Sequence, residues 1–443
     1  MLTNYGPLFI YLLSFPVMLV TLLSFETGLL FFISIVPIVS LMMKINKQFP
    51  LNIVDLLMIF MVLGWFFRGK KMGEGFFKKS PLNFVILLVV VGSIIDLIRG
   101  YTFMALPDDI NLIRLKAWKN YMILPLIYFI SVNNIEKEKT VSRILVCVCF
   151  TMLAMDFNFY STFRWLRSEH YSDLMRISGP IGYLGPNELG LFYSIYTFLL
   201  LGISYFVEDK KLKYLMLFVC ACNFYPILFS YSRSAYLCAL AGFLTLGLLK
   251  DRKLLVLLIV LVIFYSFILP RSVVERINMT FLEEGQISEE KERSSAIDVG
   301  GVELDTVGRK QLWDKAIIYF KQEPLLGIGF ETFRHKEGWI THSLLMKILA
   351  EQGLVGMAIF IVFIFMIQWQ SYRLFRHSKS KLGQGIGLGL FSSIILYLVG
   401  TLGGDTSLYY HFMAFLWLFI GIVASFNVHY VNDYKPVQAV ITE

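Results

Sequence analysis

The spacing of charge constrains this chain more than any other feature. Residues 1–25, 27–43, 189–207, 214–232, 254–270, 352–372, 382–404 and 406–431 contain no Asp, Glu, Lys or Arg. A helix needs about 20 mostly apolar residues to cross the hydrocarbon core of a bilayer, and these runs supply them repeatedly. Of the 443 residues, 57% are hydrophobic and only 16% charged, whereas a soluble chain carries about 25% charged residues. The sequence therefore predicts an all-α polytopic membrane protein, with the bilayer as its first partner. A soluble enzyme and a secreted disulfide scaffold are excluded. The net charge of +8 lies in short basic loops rather than on one face, so no nucleic acid is expected as a partner.

Apolar segments near 7–24, 29–43, 50–67, 81–98, 117–132, 141–159, 187–206, 214–230, 234–249, 254–270, 343–369, 385–402 and 408–428 predict about 12 transmembrane helices, twelve or thirteen by this reading. Short Lys- and Arg-rich loops mark the cytoplasmic side. Arg68 to Lys79, Glu136 to Arg143, Asp209 to Lys213, Lys250 to Lys253 and Arg373 to Lys381 alternate consistently in that role. Lys44 and Lys47 leave the parity of the first hairpin open, and no cleavable signal peptide is expected, because the first apolar stretch lacks a basic n-region. The remaining long polar connections, 99–116, 160–186 and 271–342, fall on the outer side. The predicted division is an N-terminal helix bundle over 1–270, a large extracytoplasmic loop over 271–342, and C-terminal helices with a short cytoplasmic tail over 343–443. Within the loop, Glu283 to Asp305 is acidic and turn-rich. After it Leu312, Trp313, Ala316, Ile317 and Phe320 recur at helical spacing, predicting an amphipathic interfacial helix that Pro324 ends.

Four ionisable residues stand out by predicted depth. Arg233 opens a span, Arg176 precedes the Gly- and Pro-rich entry to another, Arg309 opens the amphipathic helix, and His342 opens the span after it. Guanidinium groups bind phosphate bidentately and stay charged, so three of them on one face suggest a phosphate or pyrophosphate ligand. A histidine beside them can take a proton from a hydroxyl near neutral pH. Taken singly, each arginine reads equally well as a headgroup anchor, and the histidine as a polar helix end. Cys147, Cys149, Cys220, Cys222 and Cys238 lie in apolar runs without His or carboxylate at ligand spacing. No acidic triplet or His/Cys cluster accompanies the arginines either, so no metal and no cofactor are expected. Asp55, Asp96 and Asp156 lie in or near spans without a partner four residues away, which argues against a proton relay. Asp405 and His411 flank a short outer connection, with Tyr409 and Tyr410 between them, and are placed to line the same cavity. His377 and His429 read as cytoplasmic surface residues.

The stretch GRKQLWDKAIIYFKQEPLLGIGFETF followed by THSLLMKILAEQGLVG resembles the signature region of the O-antigen ligase family, shared with surface-polysaccharide polymerases. The residues that carry it are Gly308, Arg309, Trp313, Pro324 to Phe330, His342, Glu351 and Gly353. RISGPIGYLGPNELG and YSRSAYLCALAG resemble two further landmarks upstream, and Ser343 stands where the family often has Asn. The resemblance implies a GT-C-type glycosyltransferase on the outer, periplasmic face of a bacterial plasma membrane. It would move a glycan from undecaprenyl pyrophosphate to a sugar hydroxyl, with inversion and without a metal. The acceptor would be lipid A core for a ligase and another lipid-linked repeat unit for a polymerase. In those terms His342 would be the base, and Arg176, Arg233 and Arg309 the donor-binding groups. A multi-pass transporter is the alternative from another class; it predicts inverted repeats, and the sequence has no internal repeat.

Overall fold

The computed structural model describes residues 14–38, 53–72, 77–104, 107–164, 167–178, 185–279 and 306–431, and among these it contains helices and no β-strand. The helices are α1 (Ser14–Leu23), α2 (Phe25–Ile35), α3 (Ile53–Met72), α4 (Pro81–Met104), α5 (Asp108–Asn134), α6 (Glu138–Phe163), α7 (Pro186–Ser204), α8 (Lys210–Phe229) and α9 (Arg233–Leu249). They continue as α10 (Lys253–Ile263), the single turn α11 (Tyr265–Ile268), α12 (Arg271–Asn278), α13 (Thr306–Gln322), α14 (Thr332–Glu337), α15 (Leu344–His377), α16 (Lys381–Thr401) and α17 (Tyr410–Tyr430). Where they are described, the apolar segments named above fall on these helices. Six, α4, α6, α8, α15, α16 and α17, are long and apolar enough to cross a membrane, and α1, α2, α9, α10 and part of α3 are shorter apolar helices. The chain is a helical, multi-pass membrane protein. The parity of the first hairpin and the acidic stretch from Glu283 to Asp305 fall outside the described residues.

The core is built around α7 and α17, both buried along nearly their whole length. Without a hydrophobic force between helices inside lipid, close packing depends on small residues that let backbones meet. The alternating glycines of α16 provide this on two sides. A Cβ on Gly389 would lie 2.5 Å from the Leu199 carbonyl of α7, and one on Gly387 would lie 2.4 Å from the Phe375 nitrogen of α15. On α17, Gly421 faces Ser131 of α5, and the Tyr196 hydroxyl of α7 donates to Phe412 O at 2.6 Å. By contrast α10 and α11 contain no buried residue, so their apolar surface is left for lipid.

The outer connection expected over 99–116 is not a loop. Helix α4 runs to Met104 and α5 begins at Asp108. Arg114, 1% exposed, turns inward from α5, and its Nε donates to Phe330 O at 2.8 Å. With its charge satisfied inside the protein, the segment has no need of irregular, solvated backbone. In the third connection, α13 is present as predicted. Its Leu312 and Ala316 pack on Ile328, Phe333 and Ala350, while Ile317 and Ile318 stay exposed.

Candidate active site

The site is organised by a break in a helix. Helix α15 leaves helical geometry at Gly353, whose φ of +62° and ψ of −156° fall in a region essentially open only to glycine. The break frees carbonyls and N–H groups that, between spans, must find partners. The turn after α13 supplies them. Ile328 N donates to Ala350 O at 2.9 Å and Gly329 N to Glu351 O at 2.8 Å. In return Leu354 N donates to Pro324 O at 2.8 Å and Val355 N to Leu325 O at 3.1 Å. Gly329, at φ +98°, also passes so near α4 that a Cβ would lie 2.2 Å from the Gly100 nitrogen. Phe330 N donates to Asp96 O at 2.9 Å, and Arg99 Nε to Gly327 O at 2.5 Å. The Pro-Leu-Leu-Gly-Ile-Gly motif and the Glu-Gln-Gly of α15 are thus two halves of one backbone splice against α4.

Buried charges lock the splice. The Glu351 carboxylate accepts from Glu331 N at 3.0 Å and Phe333 N at 3.1 Å. Glu331, held at φ +53°, pairs through its carboxylate with Lys347, which also reaches Asp405 at 3.0 Å. Burial works to raise the Asp405 carboxyl, but Lys347 and the bonds from Ser407 prevail and hold it below the usual carboxylate range. Asp405 thereby fastens the connection between α16 and α17 to α15. A groove of about 310 Å³ opens beside this network, walled by Val91, Ile95, Ile359, Phe363 and Trp417, with Asp96, Lys347 and Glu351 at its polar end.

His342 stands immediately before α15, at φ +52°. The residues on both sides of it are fixed. Trp313 Nε1 donates to Thr341 O at 3.0 Å, and the Thr341 hydroxyl donates to Ser343 O at 2.8 Å. The half-buried His342 is therefore held at a fixed point of the backbone just ahead of α15. Arg309 lies four residues before Trp313, on the same face of α13 by helical spacing; its side chain is outside the described residues. The sequence signal Gly-Arg-x₃-Trp is thus explained in part, since Trp313 fastens the arginine-bearing helix to the backbone beside the histidine.

Arg176 and the start of α9 share Asn187 at a second corner. Arg176 Nη2 donates to Asn187 Oδ1 at 2.8 Å at the start of α7. The hydroxyl of Ser232, the N-cap of α9, reaches Asn187 O at 3.4 Å and accepts from Ala235 N at 3.3 Å, leaving Arg233 as the first residue of α9. Arg176 Nε is buried with no hydrogen-bond partner among the described residues. Burial first, and the neighbouring Arg276 second, push the Arg176 guanidinium below its ordinary value. The two corners are joined at Tyr409, which lies among the charges of Glu188, beside Asn187, and of Asp405, Lys347 and Arg334.

Helix direction adds to this. Gly190 of α7 meets Ala235 of α9 and Phe198 meets Gly242, so those helices run parallel; α16 runs antiparallel to α7, with Gly400 on Leu191 and Gly389 on Leu199. Gly383 meets Ser378 and Gly387 meets Phe375 and Ser371, which makes α15 antiparallel to α16 in turn, and the short connection from Thr401 to Tyr410 turns α17 back along α16. The N-termini of α7, α9, α15 and α17 consequently gather on one face. Each carries a partial positive charge and unused N–H donors, a setting that favours an anion. Sequence reasoning did not find Asn187, Lys347, Glu331 or Arg276. A lone lysine five residues into an apolar run was the one available signal for Lys347.

The other candidates resolve as structural. Lys119 Nζ pairs with Asp55 at 2.6 Å, Asp156 faces Tyr193 and Asn223 in the interior, and His411 Nδ1 lies 3.0 Å from Val36 O. Asp96 is 6% exposed and lines the groove. Among the described residues no group of three or more His, Cys, Asp or Glu side chains is close enough to hold a metal ion.

A bundle of helices with a network of buried charges and four helix N-termini on one side is a multi-pass membrane protein with a polar site at one face. Residues 217–361, from within α8 to the middle of α15, match the family model described as O-antigen ligase. The family's proteins are ligase- and polymerase-type enzymes of surface polysaccharide. The matched segment includes Arg233, Arg309 and His342 and stops short of Arg176 on the N-terminal side. No curated protein matches the chain.

Proposed function

We propose that the protein is an O-antigen ligase-type glycosyltransferase of the GT-C class, with about twelve spans, working at the periplasmic face of the bacterial plasma membrane. It takes a glycan from undecaprenyl pyrophosphate and passes it to a sugar hydroxyl of lipid A core. The observation that carries this reading is the left-handed His342, fixed by Trp313 of the arginine-bearing helix on the face where the N-termini of α7, α9, α15 and α17 gather.

In this reading the acceptor hydroxyl attacks the anomeric carbon from the side opposite the pyrophosphate. The new C–O bond forms as the bond to pyrophosphate breaks, which inverts the centre, and His342 takes the hydroxyl proton. Charge building on the departing pyrophosphate is met by Arg176, Arg233 and Arg309 and by the helix N-termini, without a metal. The apolar groove beside α4 and α15 suits an isoprenoid chain. The test is the surface-polysaccharide profile of a deletion strain. Long unligated chains on the lipid carrier support the ligase, single repeat units on lipid A core reassign the protein as a polymerase with the same donor chemistry, and an unchanged profile refutes both.

A further inference from the structure

Helix α12, the first element of the long outer connection, is tied down first by its acidic residue. Glu275 accepts from Tyr171 N at 2.8 Å, shares a hydrogen with His170 Nδ1 at 2.9 Å, and pairs with Arg271 at 3.2 Å. The Tyr231 hydroxyl donates to Ser272 Oγ at 3.1 Å, and Val273 is fully buried. These bonds hold α12 against the corner formed by Tyr171, Tyr231 and the start of α9. They also consume the one carboxylate of the helix.

Arg276 is left over. Its Nε donates to Tyr231 O at 3.3 Å, and its guanidinium lies over the Tyr171 ring, 5.0 Å from the centroid. Stacking of this kind fixes the plane of an arginine while leaving its outer N–H groups unused. Arg176 stands beside it, and both lie near Tyr236 in the first turn of α9. Neither arginine is paired with a carboxylate among the described residues. The fold thus brings together two guanidinium groups beside the N-terminus of α9, one with a buried Nε that has no partner, with Asp173 and Glu188 also within electrostatic reach of Arg176. An anion between them would occupy the unused donors.

We propose that Arg276 is a fourth donor-binding arginine, which together with Arg176 grips a phosphoryl group of the pyrophosphate-bearing substrate. This rests on the reading of the same corner as the donor site. It makes the outer connection contribute at both ends, through Arg276 on α12 and through Arg309 and His342 some thirty to seventy residues further along.

The test is equilibrium binding of geranylgeranyl pyrophosphate to the purified full-length protein in detergent, alongside the thermal midpoint without ligand. R276Q should weaken binding roughly tenfold to a hundredfold, the range for a lost charge-assisted hydrogen bond. R276K, which keeps the charge but not the fork, should lose threefold or more. K321Q, an exposed charge on α13, serves as the control for net charge and should bind as the parent does. If R176Q and R233Q lose binding while R276Q stays within threefold, this proposal is overturned and the donor site stands. If R176Q, R233Q and R276Q all bind as the parent does, the donor site itself is overturned and this proposal with it. Should R276Q fail to fold, R276K decides, and binding within threefold of the parent assigns Arg276 to holding Tyr171 and Tyr231 alone.

Discussion

Replacing Lys347 with methionine tests the network that fastens the splice to the rest of the bundle. The side chains of Glu331 and Asp405 are 6% and 5% exposed, and Lys347 bonds to both. Methionine nearly preserves the volume but removes the cation the two buried carboxylates share, leaving Glu331 only the exposed Arg334 at 3.8 Å. Removing one partner of a buried ion pair costs about 3–5 kcal/mol, and a loss within that range is expected, since Asp405 loses its cation while Glu331 keeps Arg334. The assay is equilibrium unfolding of the purified protein by SDS titration in mixed micelles, with the parent as reference. The same network predicts its own rescue. In K347M/E331Q/D405N the amides need no counter-charge, and most of the lost stability should return, a non-additivity that measures the coupling directly. A K347M protein within about 1 kcal/mol of the parent, below the smallest cost of stranding a buried charge, would refute the reasoning. So would a triple variant less stable than K347M.

His342→Ala should abolish transfer while leaving abundance and thermal midpoint unchanged; since general-base catalysis is worth roughly 100-fold or more, a variant keeping above about a tenth of parental activity rules His342 out as the base. Arg176→Lys and Arg233→Lys should each reduce turnover substantially and weaken donor binding, because a lysine supplies a point charge in place of a fork; Arg309→Lys, on a helix fastened through Trp313, is expected to fall least, and parental turnover in all three contradicts a bidentate clamp. Activity should survive EDTA, because arginines meet the phosphate charge, and loss restored by magnesium or manganese is the contrary result. Burial works to raise Glu275, but the bonds from Tyr171 and His170 bring it below its ordinary value of 4.5, so its contribution is complete above that value and fades as acid titrates it lower. Protease protection of the 167–178 segment should accordingly hold at neutral pH, fall in strong acid, and fall at neutral pH in E275Q; equal protection of E275Q and the parent at neutral pH denies the latch.

Helix positions were legible because uncharged runs of spanning length have one solution in lipid, and among the described residues the apolar segments fall on helices. The amphipathic periodicity of α13 was legible for the same kind of local reason. The splice was not. Gly327, Gly329, Glu351 and Gly353 could be seen as a pattern, but their purpose is a set of hydrogen bonds between segments more than twenty residues apart and with α4, which no periodicity encodes. Asp96 was set aside for want of a partner one turn along its own helix, whereas its surroundings come from α15 across the groove. The polar residues over 99–116 suggested a loop because a charge in sequence carries no sign of where it will be satisfied, and Arg114 is satisfied 216 residues away. Arg276 escaped notice because its role arises from α12 docking against α9 and the 167–178 segment.

The splice also sets an order of events in synthesis. Arg99 and its acceptor Gly327 are separated by 228 residues, and at about 5–20 residues per second of translation the first waits roughly ten to fifty seconds for the second. During that interval α4 and α5 are already inserted, with the guanidinium groups of Arg99 and Arg114 lacking their later acceptors. The polar face between the helices is therefore finished last, when α15 enters the membrane and closes over the turn. A ribosome that stalls before residue 324 leaves an inserted bundle with an open seam, the kind of surface a membrane quality-control protease can read as unfinished.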